Sequence, residues 1–246
     1  MTVRNQDRVP SSESDLERTL KDAPIVDLAR VGIGSNAVFL ATIQTEREQL
    51  RAIYKPARGE RPLWDFPEGT LHRREVASFE VDRALGWGFL PVTVLRREAP
   101  LGRGSIQEFV EGPSPDQELD QDQLERQLRG LATLDVLVNN ADRKSAHLLV
   151  DHSGRLKGID HGVTFNVDFK LRTVLADLGG EEVPSIWLER LRRLLSDRVA
   201  MSGLHARLGR LLAPEEIRAF ERRGRRLLAE GHFPRLHPWY GRPFEL

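Results

Sequence analysis

Apolar and polar residues alternate through residues 25–43, with a break at Gly32-Ile33-Gly34-Ser35-Asn36. A period of two turns one face of a strand toward a core, and glycines permit a tight return. The stretch therefore predicts two antiparallel strands joined by a glycine-rich turn. A third strand is predicted over residues 50–54. Residues 58–69 concentrate Pro, Gly and charge and predict a loop. Thr70 is then the expected cap of a helix that buries Val76, Phe79 and Ala84, runs to Leu85 and stops at Gly86. Apolar runs at residues 90–95 and 105–110, separated by Pro100, Gly102 and Gly104, predict an antiparallel pair that completes a five-stranded unit with one helix.

Past residues 111–115, where Gly and two prolines predict a linker, the period changes. Leu124, Leu128, Leu131, Leu134 and Leu137 recur at helical spacing up to Asn139. Short apolar runs at 148–150 and 156–159 flank Asp151-His152-Ser153-Gly154, as in a small hairpin. Residues 184–231 are helical and polar. The opening segment, polar and rich in Ser and acid, predicts a loose tail or one short capped helix. The expectation is an α+β fold in two lobes: a flexible N-terminal tail over residues 1–23, a small antiparallel sheet lobe over 24–112, and a mostly helical lobe over 113–246.

Composition narrows the function classes. The 246 residues weigh 28.0 kDa, enough for two small lobes sharing a cleft, and a mean hydropathy of -0.43 is that of a soluble globular chain. Lys and Arg number 37, as do Asp and Glu, so no net field draws the molecule to nucleic acid, and none is expected as a partner. The neutrality hides local asymmetry. Residues 189–226 hold 11 Arg against 5 acids, and residues 108–125 hold 7 acids and no base. An arginine-rich helical run can meet an anionic partner or a membrane surface, although a solvated face with intrahelical pairs is the plainer reading. The absence of cysteine removes disulfides, thiolate metal sites and cysteine nucleophiles, and agrees with a reducing compartment. No apolar run is long enough to span a bilayer, so a cytoplasmic location is expected; oligomeric state is left open.

Five features could carry chemistry. The glycine-rich turn lets backbone N–H groups approach a phosphate, although a glycine turn is commonly just a turn. Lys55 ends an apolar strand, and Glu75 shares a helix face with Val76 and Phe79, from which it could reach inward to Lys55. Residues 139–147, Asn-Asn-Ala-Asp-Arg-Lys-Ser-Ala-His, gather amides, an acid, bases and an imidazole between a helix and a hairpin. Asp160 follows Asp142 by 18 residues, at the end of an apolar strand and shortly before Gly162. Two carboxylates on adjacent loops suit a hard cation such as Mg²⁺ when phosphate oxygens complete its shell; the alternative is a pair of aspartates capping turns.

The order of these parts is that of a kinase: glycine-rich loop, strand lysine, helix glutamate, catalytic-loop aspartate, and a metal-binding Asp near a Gly. Through residues 74–79, Leu85-Gly86, residues 139–143 and Ile159-Asp160-His161-Gly162, the chain resembles the phosphatidylinositol 3- and 4-kinase superfamily. Its type II 4-kinase-like branch and the actinobacterial kinase-like proteins grouped with it are nearest, and HipA-type kinases are more distant.

The resemblance implies a protein-kinase-like fold and an ATP-dependent phosphotransferase using Mg²⁺ or Mn²⁺, acting on a hydroxyl of a lipid headgroup, small molecule or protein. It implies that Gly32, Gly34, Ser35 and Asn36 cover the phosphates, that Lys55 holds them, and that Glu75 orients Lys55. Residues 107–111 become the hinge: Gln107, Glu108, Phe109 and Val110 bind adenine. Asp142 becomes the catalytic aspartate with Lys144 beside it, and Asp160 a metal ligand. Five positions after Asp142, where the family has a metal-binding Asn, this chain has His147. A neutral imidazole is a softer ligand that favours Mn²⁺ over Mg²⁺. The same departure supports a second reading, a nucleotide-binding pseudokinase serving as a regulatory or scaffold module. His161 is expected to be structural, and His72 is assigned no role.

Overall fold

A computed structural model describes residues 12–31 and 36–236; Gly32, Gly34 and Ser35 lie outside the described residues. Five strands, β1 (Ile25–Val31), β2 (Val38–Gln44), β3 (Gln49–Pro56), β4 (Thr93–Arg96) and β5 (Gly104–Glu108), form one antiparallel sheet in the order β1-β2-β3-β5-β4. The expected alternation is visible in β3. Ala52 and Tyr54 are fully buried, and Ile53 and Lys55 take the opposite face.

Of the two alternatives for the opening segment, the described part takes the short capped helix, and residues 13–22 of the expected flexible tail are docked on the core. In α1 (Glu13–Asp22), Ser12 caps the N-terminus by accepting from the Asp15 N–H, and Leu16 and Leu20 are buried in the core. Helix α2 (Leu71–Leu85) ends at Gly86 in the left-handed conformation, as its sequence predicts. Val76 and Phe79 are buried; Ala84 is only half-buried. Thr70 takes the N-cap position as expected, but its side chain makes no capping hydrogen bond. The Thr70 hydroxyl donates to Pro67 O, and the Glu60 carboxylate takes the cap, accepting from Leu71 N at 3.0 Å and His72 N at 2.8 Å. At the far end, the Asp82 carboxylate accepts from Leu90 N at 2.9 Å. Carboxylates 11 and 12 residues before their partners at one end, and 8 before at the other, therefore fix α2 at both ends.

Beyond the linker come α3 (Pro115–Glu118), α4 (Gln121–Val138), the hairpin β6 (Leu148–Val150) and β7 (Leu156–Gly158), then α5 (Ser185–Ser196), α6 (Arg198–Leu208) and α7 (Pro214–Glu230). The α4 N-cap is Asp120, and its last turn closes on Asn139 at φ 57°, a conformation Asn tolerates better than most residues. The arginine run is not one patch. Arg193, Arg225 and Arg226 close pairs within their helices, Arg190 and Arg207 reach Gly86 O and Glu80, and Arg223 turns inward to Leu137 O and Asn166 O. Buried Arg74 joins the lobes, donating to Thr164 O and pairing with Glu216 of α7. Among the described residues, no helix is long and apolar enough to cross a membrane.

Candidate active site in the interlobe cleft

A cavity of about 920 Å³ opens between the lobes. Every described residue named above for nucleotide, metal or catalysis lines it: Asn36, Lys55, Glu75, Gln107, Glu108, Phe109, Val110, Asp142, Lys144, His147 and Asp160. Val38 and Ile53 from the sheet, and Leu149 and Ile159 from the helical lobe, give it apolar walls on both sides. No local pattern marks Val38, Leu149 or Ile159 as cleft residues. Their place in a cleft wall depends on two lobes facing each other.

Three charged groups meet across the cleft. Lys55 is hydrogen-bonded to Glu75 Oε1, and its Nζ lies 3.0 Å from Asp160 Oδ1. The second oxygen of Glu75 accepts the His161 N–H at 3.0 Å, so this carboxylate orients both the lysine and the loop that carries Asp160. The Lys55 ammonium holds the Asp160 carboxyl well below the usual carboxylate range. Burial works against the charge on Lys55, yet the two carboxylates raise its pKa. Asp160 sits at φ 62°, a left-handed conformation that turns its half-exposed carboxylate into the cleft.

The loop after α4 is fixed from beneath. Arg143 is fully buried and grips Asp135 of α4 through two hydrogen bonds of 2.9 Å, donates to Ile159 O at 2.8 Å, and meets His161 Nε2. Asn140 donates to the same Asp135 at 2.9 Å, and its side-chain oxygen accepts the Asp142 N–H at 3.0 Å. Asp142 is thereby presented to the cleft with Lys144 Nζ at 3.4 Å. Burial pushes the Asp142 carboxyl up, against the pull of Lys144. His161 is buried and neutral, its pKa driven down by burial and then by Arg143, which agrees with the structural role expected. Sequence reading missed Arg143 and Asp135 because a buried charge has no signature distinct from a surface one.

His147 Nε2 lies 3.4 Å from Asp160 Oδ2, and its Nδ1 accepts the Lys144 N–H at 3.4 Å. Burial lowers its pKa to about 4, so the imidazole is neutral at physiological pH. The separation suits two neighbouring ligands of one ion at about 2.1 Å each. Ligation through Nε2 would move the remaining proton to Nδ1 and end the bond to Lys144 N. Among the described residues no group of three or more His, Cys, Asp and Glu could hold a metal, so the chain offers two donors and nucleotide oxygens must supply the rest.

On the hinge side, Gln107 lies within the sheet, paired on both sides, and its amide donates to Thr93. Glu108 donates its N–H to Val92 O. The N–H of Val110, which borders the cavity, makes no hydrogen bond among the described residues. His72, assigned no role in sequence, contacts the capping Glu60 through Nδ1 at 2.6 Å, and both residues border the cavity. Asn36 accepts the Arg61 N–H at 2.7 Å, tying the end of the glycine-rich turn to the loop that carries Glu60, a strap over the α2 N-terminus.

Comparison with known proteins places this geometry in a fold. No protein-family model matches the chain. Hydra Fam20, solved with sugar, superposes with a TM-score of 0.63 at 15% identity, over 88% of this chain and 87% of its own. The Golgi casein kinase with Mn and ADP bound gives 0.59 at 17%, over 89% and 75%. The Helicobacter pylori proinflammatory kinase CtkA gives 0.53 at 10%, over 84% and 92%. The fold is protein-kinase-like, as expected; these likenesses do not single out the phosphatidylinositol kinase branch. In sequence, protein Rv2133c of Mycobacterium tuberculosis is 33% identical over 92% of this chain and 95% of its own length. With a kinase-like cleft and that extent of identity, the chain belongs to the family of Rv2133c.

Proposed function

We propose that the chain is an ATP-dependent phosphotransferase that moves the γ-phosphoryl group of ATP to a hydroxyl. The observation that carries this reading is the convergence of Lys55, Glu75, Asp160 and the Asp142–Lys144 pair on one cavity with apolar walls. The adenine ring lies between Val38 and Ile53 above and Leu149 and Ile159 below, with Val110 at the hinge. Lys55, held by Glu75, binds the phosphates. Asp160 and His147 would hold Mg²⁺ or Mn²⁺, which when bound would offset phosphate charge. The Golgi casein kinase of similar fold is known with Mn and ADP bound, which supports nucleotide and metal use here.

Asp142 accepts the proton of the acceptor hydroxyl as the new O–P bond forms and the bond to the β-phosphate oxygen breaks, releasing ADP. Its carboxyl, raised by burial, is suited to take that proton. Lys144 steadies the negative charge on the transferred group. The finer resemblance, to phosphatidylinositol kinases, admits a lipid headgroup among the acceptors beside a small molecule or protein. His147 supports a second reading, a nucleotide-binding module without transfer, because its protein contacts already satisfy both ring nitrogens. Consumption of γ-labelled ATP with Mg²⁺ or Mn²⁺ separates the two. The enzyme reading expects turnover that falls at least about 100-fold in Asp142→Asn while nucleotide binding persists. No turnover with either metal, despite tight nucleotide binding, assigns the chain to the second reading.

A further inference from the structure

A second cavity, of about 720 Å³, lies in the helical lobe and shares no lining residue with the interlobe cleft. Its volume falls within the range of small-molecule sites, about 300–1,000 Å³. Buried Val136 of α4, Leu227 of α7 and Phe233 give it apolar walls, and exposed Phe169 adds a ring. Arg223 of α7 brings a charge into these surroundings without a counter-ion. Its Nε donates to Leu137 O at 2.9 Å and its Nη1 to Asn166 O at 3.2 Å, both carbonyls, and its buried Nη2 has no hydrogen-bond partner. Burial and then Arg222 lower its pKa to about 10, and the acid that opposes them, Glu216, is already paired with Arg74. A buried guanidinium held by carbonyls alone keeps most of its desolvation cost.

The other charges around the cavity do not supply the missing anion. Glu230 is the one acid among the described lining residues, and Arg226 holds it at 2.8 Å. Arg235 adds a second cation, whose guanidinium makes no hydrogen bond or ion pair among the described residues. It lies against Gly180, where a Cβ would stand 2.8 Å from its Nε, so the position needs a residue without a side chain. Two uncompensated guanidinium groups therefore border an apolar interior. We infer that this cavity binds a carboxylic acid with an apolar chain, its carboxylate on Arg223 and Arg235 and its chain against Val136, Leu227 and Phe233. The guanidinium fork matches a carboxylate, and the chain replaces water on the apolar walls. A nucleotide or sugar phosphate is disfavoured because its hydroxyls and ring nitrogens would be buried there without partners. This inference stands apart from the phosphotransferase reading, since it uses no residue of the cleft.

Calorimetric titration of octanoate, 1-octanol and acetate into the full chain tests it, with phosphatidylglycerol vesicles as the bilayer alternative. Octanoate is expected to bind at one site and at least about tenfold more tightly than 1-octanol, the worth of one charge-assisted hydrogen bond. Acetate, which lacks the chain, should bind far more weakly than octanoate. Saturating Mn·ADP should leave the octanoate affinity unchanged, because the two cavities are separate. Arg223→Met should bring the ratio of octanoate to 1-octanol close to one, and Leu227→Trp should block both by filling the cavity. Arg235→Gln, at an exposed position, should lose part of the ratio and carries the test where Arg223→Met does not fold. Equal affinity for octanoate and 1-octanol, a preference that survives both arginine changes, competition with Mn·ADP, binding confined to vesicles, or no binding at all would each overturn the inference.

Discussion

The two walls of the cleft are built by opposite means. On the helical-lobe side, Asp142 rides on a loop anchored from within by Asp135, Arg143, Asn140 and His161, all buried and bonded to one another. On the sheet side, Lys55 is placed by contacts that leave its lobe, through Glu75 to the His161 backbone and directly to Asp160. The Asp142 carboxylate is thus positioned by folding, and the Lys55 ammonium by the relation of the lobes. On the proposed phosphotransferase reading, this asymmetry lets the nucleotide enter and leave past a fixed acceptor site.

Removing the anchor should have the largest effect. Arg143→Ala leaves Asp135 buried without its partner, which costs about 3–5 kcal/mol. Urea unfolding should show a loss of unfolding free energy of that size; a loss under about 1 kcal/mol would place the loop's anchorage elsewhere. The conservative Arg143→Lys should remain damaging, since an ammonium cannot reproduce the two-point grip on Asp135.

Next in size is a pH effect at the end of α2. Burial raises the Asp82 carboxyl from 3.8 to about 6, so the folded protein binds this proton more tightly than the unfolded chain does. Its contribution to stability is full below about pH 4 and is lost as pH rises to about 6, up to about 3 kcal/mol across that window. Asp82→Asn should flatten this part of the stability profile. A slope unchanged in the variant would locate the titration in another group.

Smaller effects should mark the sheet side. Lys55→Ala and Glu75→Ala should each weaken binding of an ATP analogue by about tenfold or more, and together by less than the product of the two, because the glutamate acts through the lysine. A fully multiplicative loss would break the link. The least effect belongs to the strap. Glu60→Gln keeps an acceptor for the α2 N-terminus but removes the charge, and should cost about 1 kcal/mol in thermal stability. Its nucleotide affinity should fall with it, since α2 carries Glu75; affinity unchanged despite lower stability would confine Glu60 to a structural part.

Much of this contrast is legible in the sequence. Lys55 and Asp160 are recognisable because each ends an apolar strand, Glu75 because it shares a helix face with Val76 and Phe79, and Asp142 because polar residues crowd the turn after an apolar helix. Strands, helices and the hairpin follow from periodicity. What escapes is long-range pairing without periodicity. Glu60 lies in a proline-rich loop, and nothing local marks it as the α2 cap in place of Thr70. Leu16 and Leu20 look too sparse to dock a helix until the sheet they cover is present. Asp135 and Arg143 become a buried pair only after α4 has turned at Asn139.

The central claim is that this cleft holds a nucleotide through a divalent ion shared with Asp160. Calorimetric titration of ADP into the protein with Mn²⁺, repeated in excess chelator and with Asp160→Asn, tests it most directly. The expected result is a single site whose affinity falls at least about tenfold without the metal and by a similar factor in the variant, with the variant otherwise folded. Equal binding in chelator, or Asp160→Asn binding Mn·ADP as the wild type does, would contradict it.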